Sequence, residues 1–116
     1  MKRIILCLVF LCLSISAQVN ISYKYTGTIT IRYADKKIEE IRKYKDGLYD
    51  GVWIHYDNTG VKIMEGTFKD GKKDGCWRIW DIDGTLRYEI YYSMGIRIGT
   101  WKSWNANGVL MREKRY

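Results

Sequence analysis

Short apolar runs alternate with clusters of Gly, Asp and Asn along most of the chain, and this pattern predicts β-hairpins. Residues 51–56, GVWIHY, form one β-prone run, and the turn-forming residues 57–60, DNTG, follow it. A second β-prone run covers 61–68, and the polar, Gly-rich link 69–75 comes next. Asp or Asn before Gly favours the positive φ angles of tight turns, so we interpret such a unit as two antiparallel strands.

This unit repeats every 24 residues without insertion. The coinciding columns are Gly47, Gly71 and Gly95; Gly51, Gly75 and Gly99; Trp53, Trp77 and Trp101; Tyr56, Trp80 and Trp104; Gly60, Gly84 and Gly108; Glu65, Glu89 and Glu113; and Tyr44, Phe68, Tyr92 and Tyr116. We assign three repeats to 47–70, 71–94 and 95–116. Residues 18–46 follow the pattern only weakly and are predicted to form a degenerate N-terminal capping repeat.

The predicted fold class is all-β, an elongated single-layer antiparallel meander of stacked β-hairpin repeats. Residues 36–44, KKIEEIRKY, would also fit one helical turn, but their place in the repeat favours a strand. The links between strands are too short to connect the two layers of a sandwich. We therefore expect one twisted sheet whose own aromatic side chains cover its faces.

The first residues have the three-part layout of a secretory signal peptide. A basic start, MKR, precedes an unbroken apolar run over 4–13 and the small, mildly polar residues 14–18. The run is shorter than the roughly 20 residues that span a bilayer. We expect 1–17 to be a signal peptide, cleaved after Ala17 or Ser16, and the protein to be secreted or periplasmic at the cell envelope.

The cysteines bear on this prediction. Two of the three lie within the apolar run, so cleavage leaves Cys76 alone and excludes a disulfide within the chain. A lipoprotein anchor needs a small residue before its Cys, whereas Cys7 and Cys12 each follow Leu. Lipid attachment and a retained apolar anchor or strand stay open as alternatives.

The repeat frame is G-x-x-x-G-x-W-x-x-[YW]-x-x-x-G-x-x-x-x-E-x-x-[YF], as it begins in residues 71–77, GKKDGCW. It resembles that of the bacterial MORN-repeat variant family over most of the chain after residue 46. The resemblance implies stacked β-hairpins and a role in binding or scaffolding. Some bacterial members are labelled antitoxin components of toxin–antitoxin pairs, and better-studied MORN proteins are associated with membranes, phosphoinositides and protein scaffolds. Such a resemblance indicates the fold more than the function.

The aromatic columns divide between the two faces of the predicted sheet. The predicted structural core consists of the Trp53 column with Phe68 and Tyr92, and with the glycines of the Gly51 column. Residues three apart on a strand point to opposite faces, so the second aromatic column is expected on the other face. The predicted binding ladder on that face consists of Tyr56, Trp80, Trp104, Arg78 and Lys102.

The candidates for catalysis or metal binding are weak. Neighbouring Glu residues of the repeat lie two strands apart, about 10 Å, and equivalent carboxylates do not divide into an acid and a base. Asp81 and Asp83 resemble part of a calcium loop, but Ile79 and Ile90 stand where its first and last ligands belong. His55, the single histidine, has no evident nucleophile. We expect no enzyme activity, no cofactor and no metal site.

Charge narrows the class of partner. The 116 residues, enough for one domain, carry 20 Lys and Arg against 13 Asp and Glu, a formal net charge of +7. The basic residues are scattered, and we expect no nucleic acid as the partner of an exported chain. The sequence predicts a non-enzymatic binding or scaffold module that recognises a protein or an anionic glycan or lipid surface, with peripheral membrane contact. The alternative is an antitoxin-like protein that neutralises a toxin by direct binding.

Overall fold

The computed structural model describes residues 25–116, which form one antiparallel sheet of nine strands. The strands are β1 (Gly27–Arg32), β2 (Ile38–Lys45), β3 (Leu48–Tyr56), β4 (Lys62–Lys69), β5 (Lys72–Lys73), β6 (Gly75–Trp80), β7 (Leu86–Ser93), β8 (Ile96–Trp104) and β9 (Leu110–Arg115). They pair in chain order, with β5 and β6 both on β4. The all-β meander is confirmed, and β2 confirms the strand favoured for 36–44.

The predicted signal peptide, residues 1–17, lies outside the described residues. Within 25–116, no helix has the length and hydrophobicity needed to cross a bilayer.

Two-residue loops join the strands along one long edge of the sheet. In each loop both residues have positive φ angles, the signature of a type I′ turn, whose twist matches that of the flanking strands. These turns are Asp46–Gly47 (φ 51° and 81°), Asp70–Gly71 (49° and 78°) and Met94–Gly95 (46° and 82°). The Gly47 column of the sequence is therefore a turn requirement.

Each type I′ turn is also joined to the hairpin before it. The glycine N–H groups donate hydrogen bonds to main-chain carbonyls 22 residues upstream, from Gly47 to Tyr25, Gly71 to Tyr49 and Gly95 to Lys73, at 2.8, 2.8 and 2.7 Å. The preceding N–H groups donate to side-chain oxygens at equivalent positions, those of Thr26, Asp50 and Asp74. These bonds connect successive repeats along the edge.

The Gly51 column marks an irregularity in the strands. Three residues of β3, 50–52, lie opposite Lys43 alone, and Gly51 has a φ of 103°. The equivalent Gly75 and Gly99 have φ angles of 83° and 66°. Since L-residues rarely adopt such angles, the column is a backbone requirement.

The two faces of the sheet differ in chemistry. Cross-strand partners share a face, so the register places Trp53, Gly66 and Phe68 together on what we name the Trp face, with Trp77 and Trp101. The other face, which we name the Glu face, carries Glu65, Glu89 and Glu113. A single open sheet buries little: in the described part, Trp77 at 4% exposure is the sole buried apolar side chain.

Candidate binding surface

Aromatic rings form a continuous stack on the Trp face. Tyr44 and Tyr49 stack at 4.8 Å between ring centroids, Tyr49 and Phe68 at 4.9 Å, and Phe68 meets Trp77 edge-on at 5.0 Å. Tyr25 extends the stack at one end, 5.9 Å from Tyr44. Stacked and edge-on pairs stabilise beyond the area that they bury, so the stack holds consecutive hairpins together.

In the later repeats, cations take the place of a ring in this stack. Tyr49, Lys73 and Arg97 occupy equivalent positions 24 residues apart. The Lys73 ammonium lies 4.8 Å from the Trp77 ring and 5.2 Å from the Tyr92 ring. The Arg97 guanidinium lies 5.3 Å from Trp101 and 5.6 Å from Tyr116. Cation–π contacts thus continue the stack toward β9.

The centre of the Trp face is the contact between Trp77 and Gly66. A Cβ added at Gly66 would lie 2.1 Å from the indole, which therefore covers the backbone of β4 directly. The indole N–H donates to the carbonyl of Thr67 at 3.1 Å. Trp53 and Trp101 are only half-buried, although Trp101 donates the equivalent bond, to Tyr91 at 2.9 Å. The missing side chain at Gly66 explains why the middle Trp alone is buried.

At the N-terminal end of the Trp face, the indole donates its hydrogen bond to an ion-paired carboxylate. The Trp53 indole donates to the Glu40 carboxylate at 3.3 Å instead of to a backbone carbonyl. The Arg42 guanidinium donates to the same carboxylate at 2.5 Å. His55 stacks on Trp53 at 6.2 Å, with its Nδ1 3.4 Å from Glu40. The positive charge of Arg42 is therefore compensated within the protein.

Glu40 is held ionised in this cluster. Burial acts to raise its pKa, since the side chain is 14% exposed. The hydrogen bond and charge of Arg42, the Trp53 N–H and the charge of His55 outweigh that effect. The pKa of Glu40 therefore lies below its ordinary value.

The C-terminal end of the Trp face holds an open groove of about 290 Å³. Half-buried Ile90 and Trp101 form the apolar part of its floor, beside half-buried Lys102 and Ser103. The exposed side chains around it, which we call its rim, are Tyr88, Arg112, Lys114 and Tyr116. No Asp or Glu side chain lines this C-terminal groove, and within residues 25–116 neither Arg112 nor Lys114 forms an ion pair. The groove therefore has an apolar floor beside uncompensated positive charge.

On the Glu face, by contrast, acids and bases alternate across the strands. The register aligns Glu65, Arg78, Glu89, Lys102 and Glu113 in one row. Arg78 is 3.0 Å from Glu89, Lys62 is 2.8 Å from Glu65, and Lys102 is 3.9 Å from Glu113. Each Glu of the repeat column thus has a basic neighbour, and the charges of this row largely compensate one another.

The predicted binding ladder lies on the Glu face, as the strand geometry places Arg78 and Trp80 on one side of β6. Its aromatic members, Tyr56, Trp80 and Trp104, are half-buried. The ammonium of Lys62 lies 5.1 Å from the Trp80 ring. The ladder's two cations face carboxylates, which weakens the argument that they select an anionic partner. Their role in binding stays a prediction.

Tyr91 adds a further hydrogen bond to the Glu face. Its hydroxyl donates to Glu89 at 2.7 Å, and this bond raises the pKa of Tyr91 to about 12. The same bond, together with Arg78, lowers the pKa of Glu89. At neutral pH Glu89 is ionised and Tyr91 is protonated, so neither group is poised to exchange a proton.

Several residues of the Trp face carry no repeat signal in the sequence. Gly66 aligns with Arg42, Ile90 and Lys114, so the alignment of the repeats conceals its role. Arg112 stands where Met64 and Tyr88 stand in the other clear repeats and where Glu40 stands in the N-terminal unit. A sequence search could have identified these residues as departures from the repeat at positions that share a face with the Trp column.

The described residues contain no group of His, Cys, Asp and Glu that could hold a metal ion. Their chemistry is that of a surface: stacked rings, an apolar floor and unpaired cations. Such an arrangement can bind an anionic or apolar partner but offers no activated nucleophile.

The comparisons with known proteins agree with this architecture. The family model described as MORN repeat variant matches residues 49–70, 73–94 and 97–116, more than half of the chain. No curated protein matches the chain, and no solved structure does. MORN repeats are generally non-catalytic modules that bind proteins or membranes. The three matched repeats show that the chain belongs to the MORN repeat variant family.

Proposed function

We propose that the protein is an exported, non-enzymatic binding module that holds a protein partner or an anionic surface at the cell envelope. The observation that carries this proposal is the Trp face, where rings and cations lie together without neighbouring carboxylates at the C-terminal end. The layout of residues 1–17 supports export. The family supports a binding role, since its repeats generally bind proteins or membranes.

The proposed absence of catalysis rests on the titratable groups. The pKa values of Glu40 and Glu89 are both lowered, so neither carboxyl can serve as an acid near neutral pH. In the part of the chain that the structure describes, no Ser, Thr or Cys side chain hydrogen-bonds His55. His55, the single histidine, is therefore not the base of a nucleophile–base pair.

Cell fractionation with partner capture tests the proposal. We expect the native protein in the envelope or medium, with a mass that starts at Gln18 or Ala17, and an envelope partner that co-purifies after cross-linking. The matched control is Leu8→Arg, which places a charge in the apolar run and should keep the protein inside the cell. An intact Met1 on a cytosolic wild-type protein would contradict export, and a cytosolic toxin as the partner would favour the antitoxin-like alternative.

A second pair of variants identifies the face that binds. Arg112→Gln with Lys114→Gln changes only exposed groups of the Trp face, whereas Trp80→Thr with Trp104→Thr changes the Glu face. We expect the first pair to abolish capture of the partner. If the Arg112/Lys114 double variant still captures the partner, while the Trp80/Trp104 double variant folds but does not, then the predicted binding ladder is the surface that binds.

A further inference from the structure

We propose that the C-terminal groove binds an acidic peptide segment with an apolar anchor side chain, supplied by a partner protein. This inference rests on the proposed binding function and names the chemistry of its partner. It depends on the shape and charge of one place on the Trp face, between β7, β8 and β9.

The floor of the groove calls for an apolar group. Ile90 presents hydrocarbon, and the Trp101 indole N–H is already used by the carbonyl of Tyr91 at 2.9 Å. The groove volume of about 290 Å³ has room for one or two side chains. An aliphatic side chain would pack on the hydrocarbon of Ile90 and on the Trp101 ring.

The rim calls for negative charge on both sides of that anchor. Arg112 and Lys114 stand two residues apart on β9, so their side chains emerge from the same face about 7 Å apart. A third cation, Arg97, lies outside the groove lining, over the rings of Trp101 and Tyr116, and the Tyr116 ring is also contacted by Lys114. A guanidinium binds a carboxylate through two parallel hydrogen bonds, so acidic side chains next to the anchor complement this rim.

Other anionic partners fit less well. A sugar ring carries many hydroxyls, whereas the floor of Ile90 and Trp101 offers only hydrocarbon and an occupied indole N–H, and Ser103 is the one hydroxyl among the half-buried lining residues. A membrane is a plane that would meet the rim cations but leave the depression between them empty. A peptide brings the anchor and the charges on one flexible chain.

Peptide titration of the full chain tests this inference. The probe is a short synthetic peptide with a central Leu flanked on each side by two Glu residues. We expect the indole N–H signal of Trp101 to shift in NMR spectra as the peptide is added. Two control peptides, with Leu→Ser and with all Glu→Gln, should each bind more weakly. Equal binding of either control would overturn the proposal.

The matched protein variants are Arg112→Gln and Arg115→Gln. Both residues are exposed on β9, but Arg112 faces the groove and Arg115 lies opposite Thr100 on the Glu face. We expect Arg112→Gln to raise the dissociation constant about tenfold, as for the loss of one charge-assisted hydrogen bond, and Arg115→Gln to leave it unchanged. Equal weakening by the two variants would mean diffuse attraction and would overturn the site.

Competition separates the other occupants. Polygalacturonate and phosphatidylglycerol vesicles should displace the peptide only weakly, and tight binding of either through Arg112 would overturn the choice of a peptide. This failure is distinct from failure of the proposed function. If an envelope partner is captured by another surface, only the inference that the C-terminal groove binds a peptide is contradicted. If the groove binds the peptide but the protein is not exported, only the proposed location is contradicted.

Discussion

The two ends of the Trp face are built from the same repeat but differ in how their cations are held. Around Trp53, Arg42 is paired with Glu40 and the stack is completed by Tyr49. Around Trp101, Arg97 takes the place of that tyrosine, and Arg112 and Lys114 pair with no Asp or Glu side chain in the described chain. The comparison teaches that the conserved geometry of the repeat sets the fold, while substitutions at its variable positions decide which end has charge available for a partner.

The largest effect is expected at the residue between the two ends. Trp77→Ala should lower the free energy of unfolding by about 3–5 kcal/mol, because it removes the one buried aromatic side chain of the described sheet. Trp101→Ala should cost less, since Trp101 is half-buried. Urea denaturation measures both variants. A change at Trp77 within about 0.5 kcal/mol of zero would show that the ends do not depend on the centre.

Gly66→Ala should lower the free energy of unfolding by about 1–3 kcal/mol, because the new methyl group would overlap the Trp77 indole. The backbone of Gly66 is not in the positive-φ region, so the cost arises from space alone. The matched control repeats the substitution in a Trp77→Leu background, where the methyl no longer meets the ring. Thermal unfolding should then show almost no cost, and an unchanged cost would point to the backbone instead.

Glu40→Gln should remove about 1 kcal/mol of stability near neutral pH. The lowered pKa of Glu40 means that its ionised form stabilises the folded state. This contribution is fully present above the ordinary value of 4.5 and is lost as the pH falls through the folded-state pKa. Denaturation from neutral pH into that acid range should therefore bring the wild type and the variant together.

Glu39→Gln is the control for that experiment, since Glu39 lies in the same strand and forms no ion pair among the described residues. If the stability of Glu40→Gln fell with acid as much as that of the wild type, the Glu40 carboxylate would not be what compensates the charge of Arg42. The difference between the two ends of the Trp face would then disappear.

The smallest effect is expected at the C-terminal end. Arg97→Gln should cost about 0.5 kcal/mol of unfolding free energy, because an exposed cation over two rings contributes little. Arg115→Gln, which contacts neither ring, is the control in the same urea titration. If Arg97→Gln lowered the free energy of unfolding as much as Trp77→Ala, the role of Arg97 would be to stabilise the stack and not to bind a partner.

The architecture was predictable because its determinants recur. Three columns repeat at constant spacing: the turn Gly, the Gly at the strand irregularity, and the Trp two residues after it. Each column therefore supports the interpretation of the others. Strand alternation alone predicts that the Trp53 and Tyr56 columns lie on opposite faces. These features are local, and local rules suffice for a sheet in which neighbours in sequence are neighbours in space.

The binding surface was less predictable because it depends on exceptions to the repeat. Lys73 lies in a polar link that the sequence marks only as a turn region, yet its ammonium lies over two rings. Glu40 precedes the clear repeats and still replaces a backbone acceptor for Trp53. Such contacts join side chains from different strands, and single-sequence patterns do not reveal which departure from a repeat meets which partner.

The turn glycines make the array modular in length. Each turn is joined to the preceding repeat through one carbonyl at a fixed offset, as Gly71 is to Tyr49. Excision of residues 71–94 would bring Gly95 directly after Asp70, in register with that same carbonyl. Trp101 would then lie over Gly66, where Trp77 now packs. A gene can therefore lose or gain whole units while every joint is kept, so that evolution can adjust the length of the binding face without redesigning it.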